Sequence, residues 1–218
     1  MEFQKLKENK ELEYYIEKCN EYIGVLGALE HSIRHSKIVS KRSYYLLKSL
    51  EYDERTCLLS SIAGYFHDIG NLINRYEHGR SGALFLLPFL KEIGLSTAEI
   101  STILGAIGNH EERTGFIVNP VASAVIIADK SELYKQRVRK KDIATFKQRD
   151  RVNFAVQNTS LEVDNVNKTI TMYLEIDTSI SSVMEYFEIF LTKMLMCQRA
   201  ANFLKCKFQL FINKVRLL

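Results

Sequence analysis

The sequence predicts a mainly α protein, an all-helical core carrying a small C-terminal α+β appendage, and three observations carry that prediction. Apolar residues recur every three or four positions from about Asn9 to Arg151, with no strand-like alternation. Around Ser160 the period changes to two. With 218 residues and 46% hydrophobic content, the chain is long enough for one large domain, or a domain with an appendage.

The elements follow in order. Leu12, Tyr15, Ile16, Cys19, Tyr22, Ile23 and Leu26 mark one face of an early helix. Asp53 is placed to cap a helix through "ERTCLLSSIAGYFHD", and Gly94 to stop the helix containing "LFLLPFLKEI". Pro120 after Asn119 opens the helix "VASAVIIADKSELYKQ". Beyond it Leu161 and Val163, then Ile170, Met172, Leu174 and Ile176, alternate with polar residues on either side of a turn-like "DNVNK", which reads as a hairpin. A helical stretch, "SSVMEYFEIFLTKMLMCQRAANFL", follows, and "KFQLFIN" alternates again through Phe208, Leu210 and Ile212. The expected division is therefore a helical core over residues 1–150 and a strand-strand-helix-strand unit over 151–218.

Composition excludes several classes. The start, "MEFQKLKENK", is charged and lacks the apolar stretch of a secretory signal, and no run approaches the roughly 18 apolar residues of a membrane span, so a soluble cytoplasmic protein with no membrane partner is expected. Cys19, Cys57, Cys197 and Cys206 are far apart and form no CxxC pair, which predicts buried reduced thiols rather than a zinc knuckle or disulfides. The net charge of +4 is modest but uneven. "YKQRVRKKDIATFKQRDR", Tyr134 to Arg151, has two readings: contact with phosphates of a nucleotide or nucleic acid, or a solvated helix or linker. The run has no interleaved aromatics for base stacking, so nucleic acid is not the favoured partner.

The chemistry lies in the histidines. His31, His35, His67, His78 and His110 all fall in the helical part, and in "GYFHDIGN" His67 stands beside Asp68 in an apolar region. Helices converging on one core can bring imidazoles and carboxylates together as a metal site.

These residues resemble the HD-domain metal-dependent phosphohydrolases. The match runs through "HSKIVS" from His35, "HDIG" with His67 and Asp68, "HGRSGA" with His78, "ILGAIGNHEE" with His110 and "NPVASAVIIADK" with Asp129, covering roughly Ala28 to Arg139 in order. The resemblance implies that His35, His67, Asp68 and Asp129 hold one divalent ion, and that Asp68 bridges to a second held by His78 and His110. His67 and Asp68 would then sit at the catalytic centre. A ligand set without thiolates suits Mn, Fe, Ni, Zn or Mg. Two such ions would turn a bridging water into a hydroxide able to attack phosphorus. Metal coordination would also compensate the buried polarity of the adjacent His and Asp.

Departures from the family pattern narrow the substrate. The HD-GYP branch, which cleaves a cyclic dinucleotide, has a paired HHE followed by DGxGYP; this chain has "NHEERTGFIVNP", with Asn109 in place of one histidine. His31 occupies the place of a glutamate that can hold a third metal in that branch, and at i and i+4 it is expected to share a helix face with His35. It is a candidate for a third metal or for a substrate phosphate. The segment is also similar to the HD core of ribonuclease Y, without that enzyme's nucleic-acid-binding module. Arg80 and Lys130 are candidate phosphate contacts, and Asn71 stands where many HDIG proteins have lysine. Glu111 and Glu112 are candidate acceptors for the histidines or general acids.

The expected activity is hydrolysis of a small phosphomonoester or nucleotide. Two alternatives stand beside it: a regulatory nucleotide-binding module, and a di-iron oxygenase built on the same ligands. The tail is expected to cover the helical part, to sense a ligand, or to form a homodimer through its sheet edge.

Overall fold

A computed structural model describes residues 2–218. More than two-thirds of the chain precedes the first strand, and its helices are α1 (Glu2–Glu8), α2 (Lys10–Val25), α3 (Ile33–Ser49), α4 (Glu54–Phe66), α5 (His78–Glu92), α6 (Thr97–Gly108), α7 (Pro120–Ser131) and α8 (Gln148–Ala155). Their ends follow the local chemistry. Asp53 caps α4 by accepting from the Thr56 amide. Asn119 caps α7 with Pro120 at its first position. Gly94, at φ +84°, closes α5 while the Leu95 amide reaches back to the Leu90 carbonyl.

Two expectations are corrected. The helices do not run unbroken to Arg151: α7 stops at Ser131, and only single 3₁₀ turns at Lys135–Arg137 and Ile143–Thr145 separate it from α8. Glu132 leaves the helix at ψ 81°, turning its carboxylate inward toward His35 and Arg137. His31 is not on the helix of His35, because Ser32 accepts from the Arg34 amide as the N-cap of α3 and His31 precedes that cap.

The C-terminal part holds β1 (Val156–Asp164), β2 (Thr169–Ile176), α9 (Val183–Phe203), β3 (Lys207–Ile212) and β4 (Val215–Arg216), forming one sheet in the order β1-β2-β3-β4. β1 and β2 form an antiparallel hairpin whose turn is held by Asp164 Oδ1, which accepts from the Val166 and Asn167 amides. β2 and β3 are parallel, with α9 as the crossover. β4 was not foreseen; the two-residue turn Asn213-Lys214, both at positive φ, folds it back antiparallel to β3.

Helix α7 is the axis of the molecule. Every residue from Val121 to Ala128 is buried, and α7 packs on α3, α4, α6 and α9. One apolar cluster runs from the helices into the sheet face made by Ile170, Met172, Leu174, Phe208, Leu210 and Ile212. Burying each such side chain contributes roughly 1.5–3 kcal/mol, which sets α7 and its Asp129 firmly against their neighbours. All four cysteines are buried and free. No helix among the described residues is long and apolar enough to cross a membrane.

Candidate metal centre

Close helix packing assembles the site. A Cβ on Gly64 would lie 2.8 Å from Ser43 Oγ and 3.2 Å from the Ser40 Cα, so α3 and α4 touch there, one turn before His67. That approach sets His35 Nε2 and His67 Nε2 3.2 Å apart. Asp129 Oδ1, from α7, is 3.5 Å from both. On the other side His78, first residue of α5, has its Nε2 3.1 Å from Nε2 of His110, just past α6.

Asp68 stands between the two histidine pairs. Its Oδ1 lies 3.0 Å from His78 Nε2 and 3.9 Å from His110 Nε2. Its Oδ2 lies 3.3 Å from His67, 3.4 Å from His35 and 3.8 Å from His31, again at Nε2. The structure thus brings together His35, His67, Asp68, His78, His110 and Asp129, with His31 at their edge. Two groups of ligand atoms, one from His35, His67 and Asp129 and one from His67, Asp68 and His110, each lie within 4.8 Å of one another, close enough to hold a metal ion.

The opposite ring nitrogens set the tautomers. Nδ1 of His31, His67, His78 and His110 faces the carbonyl oxygens of Leu29, Gly64, Arg75 and Ile107, at 2.7–3.0 Å. Nδ1 of His35 faces Glu132 Oε2 at 3.0 Å. These oxygens only accept, so each Nδ1 carries a proton and each neutral ring presents a bare Nε2 lone pair to Asp68. With all rings neutral, two pairs of lone pairs would meet at hydrogen-bond distance, so each pair needs a shared proton or a cation. Asp68 Oδ2 is buried with no hydrogen-bond partner among the described residues. Unpaired acceptors packed this way are unfavourable unless a cation or a proton lies among them. The donor set therefore fits divalent metal ions.

The charges agree. Burial works against ionisation of Asp68, but His67 and His31 and the nearby His35 hold its carboxyl well below the usual range. Burial lowers His67, yet Asp68 and Asp129 prevail and push it up to about 10. Burial and the neighbouring His78 and His67 push His110 down to about 3. The cluster holds positive charge beside its carboxylates while refusing it at every imidazole at once.

Several supporting groups escaped sequence reasoning. Glu132 orients His35, and against burial Arg137 and His35 hold its carboxyl down at about 2. Arg75 donates to Asn71 Oδ1 at 3.1 Å, and Asn71 donates to Asp68 Oδ1 at 3.1 Å, so a neutral amide stands where a lysine was noted as common. Lys193, on α9, lies in the field of Glu112, Lys130 and Asp129.

Other expected residues take different places. Lys130 is buried rather than free for phosphate: its ammonium donates to Asp129 Oδ2 at 2.6 Å and to the His110 carbonyl at 3.0 Å, and pairs with Glu112 at 3.4 Å. It holds Asp129 so that Oδ1 faces the histidines. Arg80 points into solvent and pairs with Glu77, outside the cluster. Glu111 accepts from the Gly79 amide and lies 3.3 Å from His78 Nδ1. The basic run is an irregular connection rather than a helix, exposed over residues 141–145, and several of its cations are held by the fold. Arg137 is buried on Glu132 and on the Glu30 carbonyl, Arg139 donates to the Ala28 carbonyl, Lys140 pairs with Asp150, and Arg149 donates to the Gly27 carbonyl. Three of its arginines thus hold the loop that carries His31.

No family model matches this chain, and no curated protein matches it.

Proposed function

We propose that the chain is a metal-dependent phosphohydrolase of the HD type, holding two divalent ions on either side of the Asp68 carboxylate and acting on a small phosphorylated substrate or nucleotide. The observation that carries the reading is the convergence of five Nε2 lone pairs on the two oxygens of Asp68, one of them without any hydrogen-bond partner. His35, His67, Asp129 and Asp68 Oδ2 would hold one ion, and His78, His110 and Asp68 Oδ1 the other.

Bound divalent ions lower the pKa of a coordinated water toward neutrality and draw charge from phosphoryl oxygens. The chain's own residues prepare the place. Glu132 keeps the His35 ring turned inward, and Lys130 keeps Asp129 Oδ1 aimed at His35 and His67. Burial, with Arg137 adding to it against the pull of Asp68, holds His31 neutral, so its Nε2 at the edge of the cluster accepts a hydrogen bond from a substrate or takes a further cation. A ligand set free of thiolate suits Mn, Fe, Ni, Zn or Mg.

The test is elemental analysis of protein purified without chelator, beside Asp68→Ala and His110→Ala variants, followed by a phosphate-release screen. About two ions per chain in the parent, fewer in both variants, and phosphate release that follows the metal are expected. No metal after reloading with Mn or Fe overturns the reading and leaves a nucleotide-binding module to test. Iron with oxygen-dependent turnover and no phosphate release would replace it with the oxygenase alternative.

A further inference from the structure

The two faces of α9 meet different surroundings. Tyr186, Phe190, Met194 and Cys197 are buried, and the helix packs on α7 and β3. The opposite face carries Met184, Glu188, Leu191, Leu195 and Arg199, all exposed, with Phe203 exposed at the end of the helix. At 100° per residue the first five fall within a sector of about 80°, and from Met184 to Phe203 the stripe runs about 28 Å. Large apolar side chains aligned in this way differ from hydrophobic residues scattered singly over a surface.

The two charges in the stripe are as informative as its leucines. Among the described residues neither Glu188 nor Arg199 forms an ion pair: Glu188 accepts only from the Gln148 side chain, and Arg199 makes no side-chain hydrogen bond. Three turns apart, they do not reach each other along the helix, and the positions three and four away from each hold no opposite charge. The exposed Tyr14 and Tyr22 on α2 form no such pattern, because Lys18 between them is already paired with Glu21.

A second copy of α9 supplies both missing charges. When two α9 helices lie antiparallel about a two-fold axis, with Leu191 opposite Leu195 of the second copy, Glu188 comes beside Arg199 of that copy and Met184 beside its Phe203. The symmetry repeats each contact, so one register provides paired leucines at the centre, an ion pair on either side and a thioether against an aromatic ring at each end. A parallel arrangement would set Glu188 against Glu188 and Arg199 against Arg199, which like charge opposes. The sheet offers a poorer surface for pairing. On its β1 edge the Thr159 carbonyl is taken by Arg42, and its other edge is the two-residue β4.

We propose that the chain self-associates through the exposed face of α9, as an antiparallel helix pair with Leu191 and Leu195 at its centre and Glu188–Arg199 ion pairs flanking them. The partner is a second copy of this chain. The interface gives the C-terminal part a role and stands independently of the phosphohydrolase reading.

The experiment is sedimentation equilibrium of the full chain from about 1 to 100 µM, over which the mass should rise from that of one chain toward twice that value. Leu191→Gln with Leu195→Gln should weaken association by roughly a hundredfold. Arg199→Glu sets like charges together at both ends of the core and should weaken it by roughly tenfold. Combining Glu188→Arg with Arg199→Glu restores opposite charges and should return association to within about threefold of the parent. The substituted positions are exposed, so the melting profile should be unchanged where the parent is a single chain, and rescue by the double reversal is a readout that a misfolded variant does not give. A parent that stays a single chain at about 100 µM overturns the proposal. So does a dimer that keeps its affinity in the double glutamine variant, or a double reversal that associates no more tightly than Arg199→Glu alone.

Discussion

Asp68 Oδ2 lies 3.3 Å from Nε2 of His67, the residue before it in the chain. Neighbours on a regular helix point about 100° apart, and on a strand to opposite faces, so neither element can aim both at one point. The chain achieves it by ending α4 at Phe66, keeping His67 helical, and moving Asp68 to φ −94°, ψ 0° ahead of the 3₁₀ turn Ile69–Leu72. That turn must also meet α5. A Cβ on Gly70 would fall 1.9 Å from the His78 carbonyl, so only glycine lets the start of α5 deliver His78 to the other oxygen of Asp68.

Asp68→Asn keeps the size of the side chain and removes the charge that both histidine groups face. Metal content should fall well below that of the parent, and phosphate release should drop roughly a hundredfold or more. A readout independent of turnover is the melting temperature with and without EDTA. Chelator should lower it for the parent, since metal bound only to the folded state stabilises it, and leave the variant unmoved. An equal shift in both proteins would mean that the metal sits elsewhere.

Lys130 is buried and serves three acceptors at once, Asp129 Oδ2, the His110 carbonyl and Glu112. Lys130→Met fills the same space but leaves the half-buried Asp129 and Glu112 without the buried ammonium that pairs with both. Removing one partner of a buried pair costs about 3–5 kcal/mol, so urea unfolding should show a loss of that order. Metal affinity should fall too, because nothing then turns Asp129 Oδ1 toward His35 and His67. A variant as stable as the parent would show Lys130 to be a solvated surface charge.

Arg42 joins the helical part to the sheet. Its guanidinium donates to the Ser131 carbonyl and hydroxyl at 2.6 and 2.9 Å, and to the Thr159 carbonyl and hydroxyl at 2.9 and 3.0 Å. Those bonds end α7 and occupy an acceptor on the edge strand β1. Arg42→Met should therefore destabilise the protein by about 2–3 kcal/mol in urea, the cost of buried acceptors left unserved, with metal content unchanged. Loss of metal at full stability would be the wrong pattern.

Periodicity makes most of the helices, the hairpin and the helix and strand that follow it legible in the sequence, and Asp53, Pro120 and Gly94 mark several helix ends. What the sequence withheld is which polar groups end up opposite one another. Glu132 is 97 residues from His35, and nothing local distinguishes it from an exposed glutamate. Lys130 looked like an available cation because its sequence neighbours do not reveal that α6 delivers the His110 carbonyl to it. His31 reads as helical from its i, i+4 spacing with His35, but Ser32 between them caps α3 and leaves His31 outside it. The basic run shows the same limit: its arginines meet backbone carbonyls of the loop 27–30, contacts that composition cannot foretell.

Glu99 offers a pH test away from the candidate metal centre. It is the third residue of α6, where it completes a capping box: its amide donates to Ser96 Oγ, and Oε2 accepts from the Ser96 amide at 2.8 Å. Arg55 also donates to it. The Arg55 hydrogen bond first, and then those of Ser96, hold its carboxyl down at about 2, below the ordinary 4.5. A carboxyl lowered in the folded state contributes stability that is fully present above the unfolded value and is lost as pH falls through the folded one. The parent should therefore exceed Glu99→Gln by about 1 kcal/mol in urea near pH 6, with less than about half of that difference left near pH 3. A difference independent of pH would mean that the ionised carboxylate is not what holds the cap. Because α6 runs from this cap to Asn109, with His110 next, fraying at Ser96 would begin at the end of α6 far from the candidate metal centre, and the variant should keep the parent's metal content.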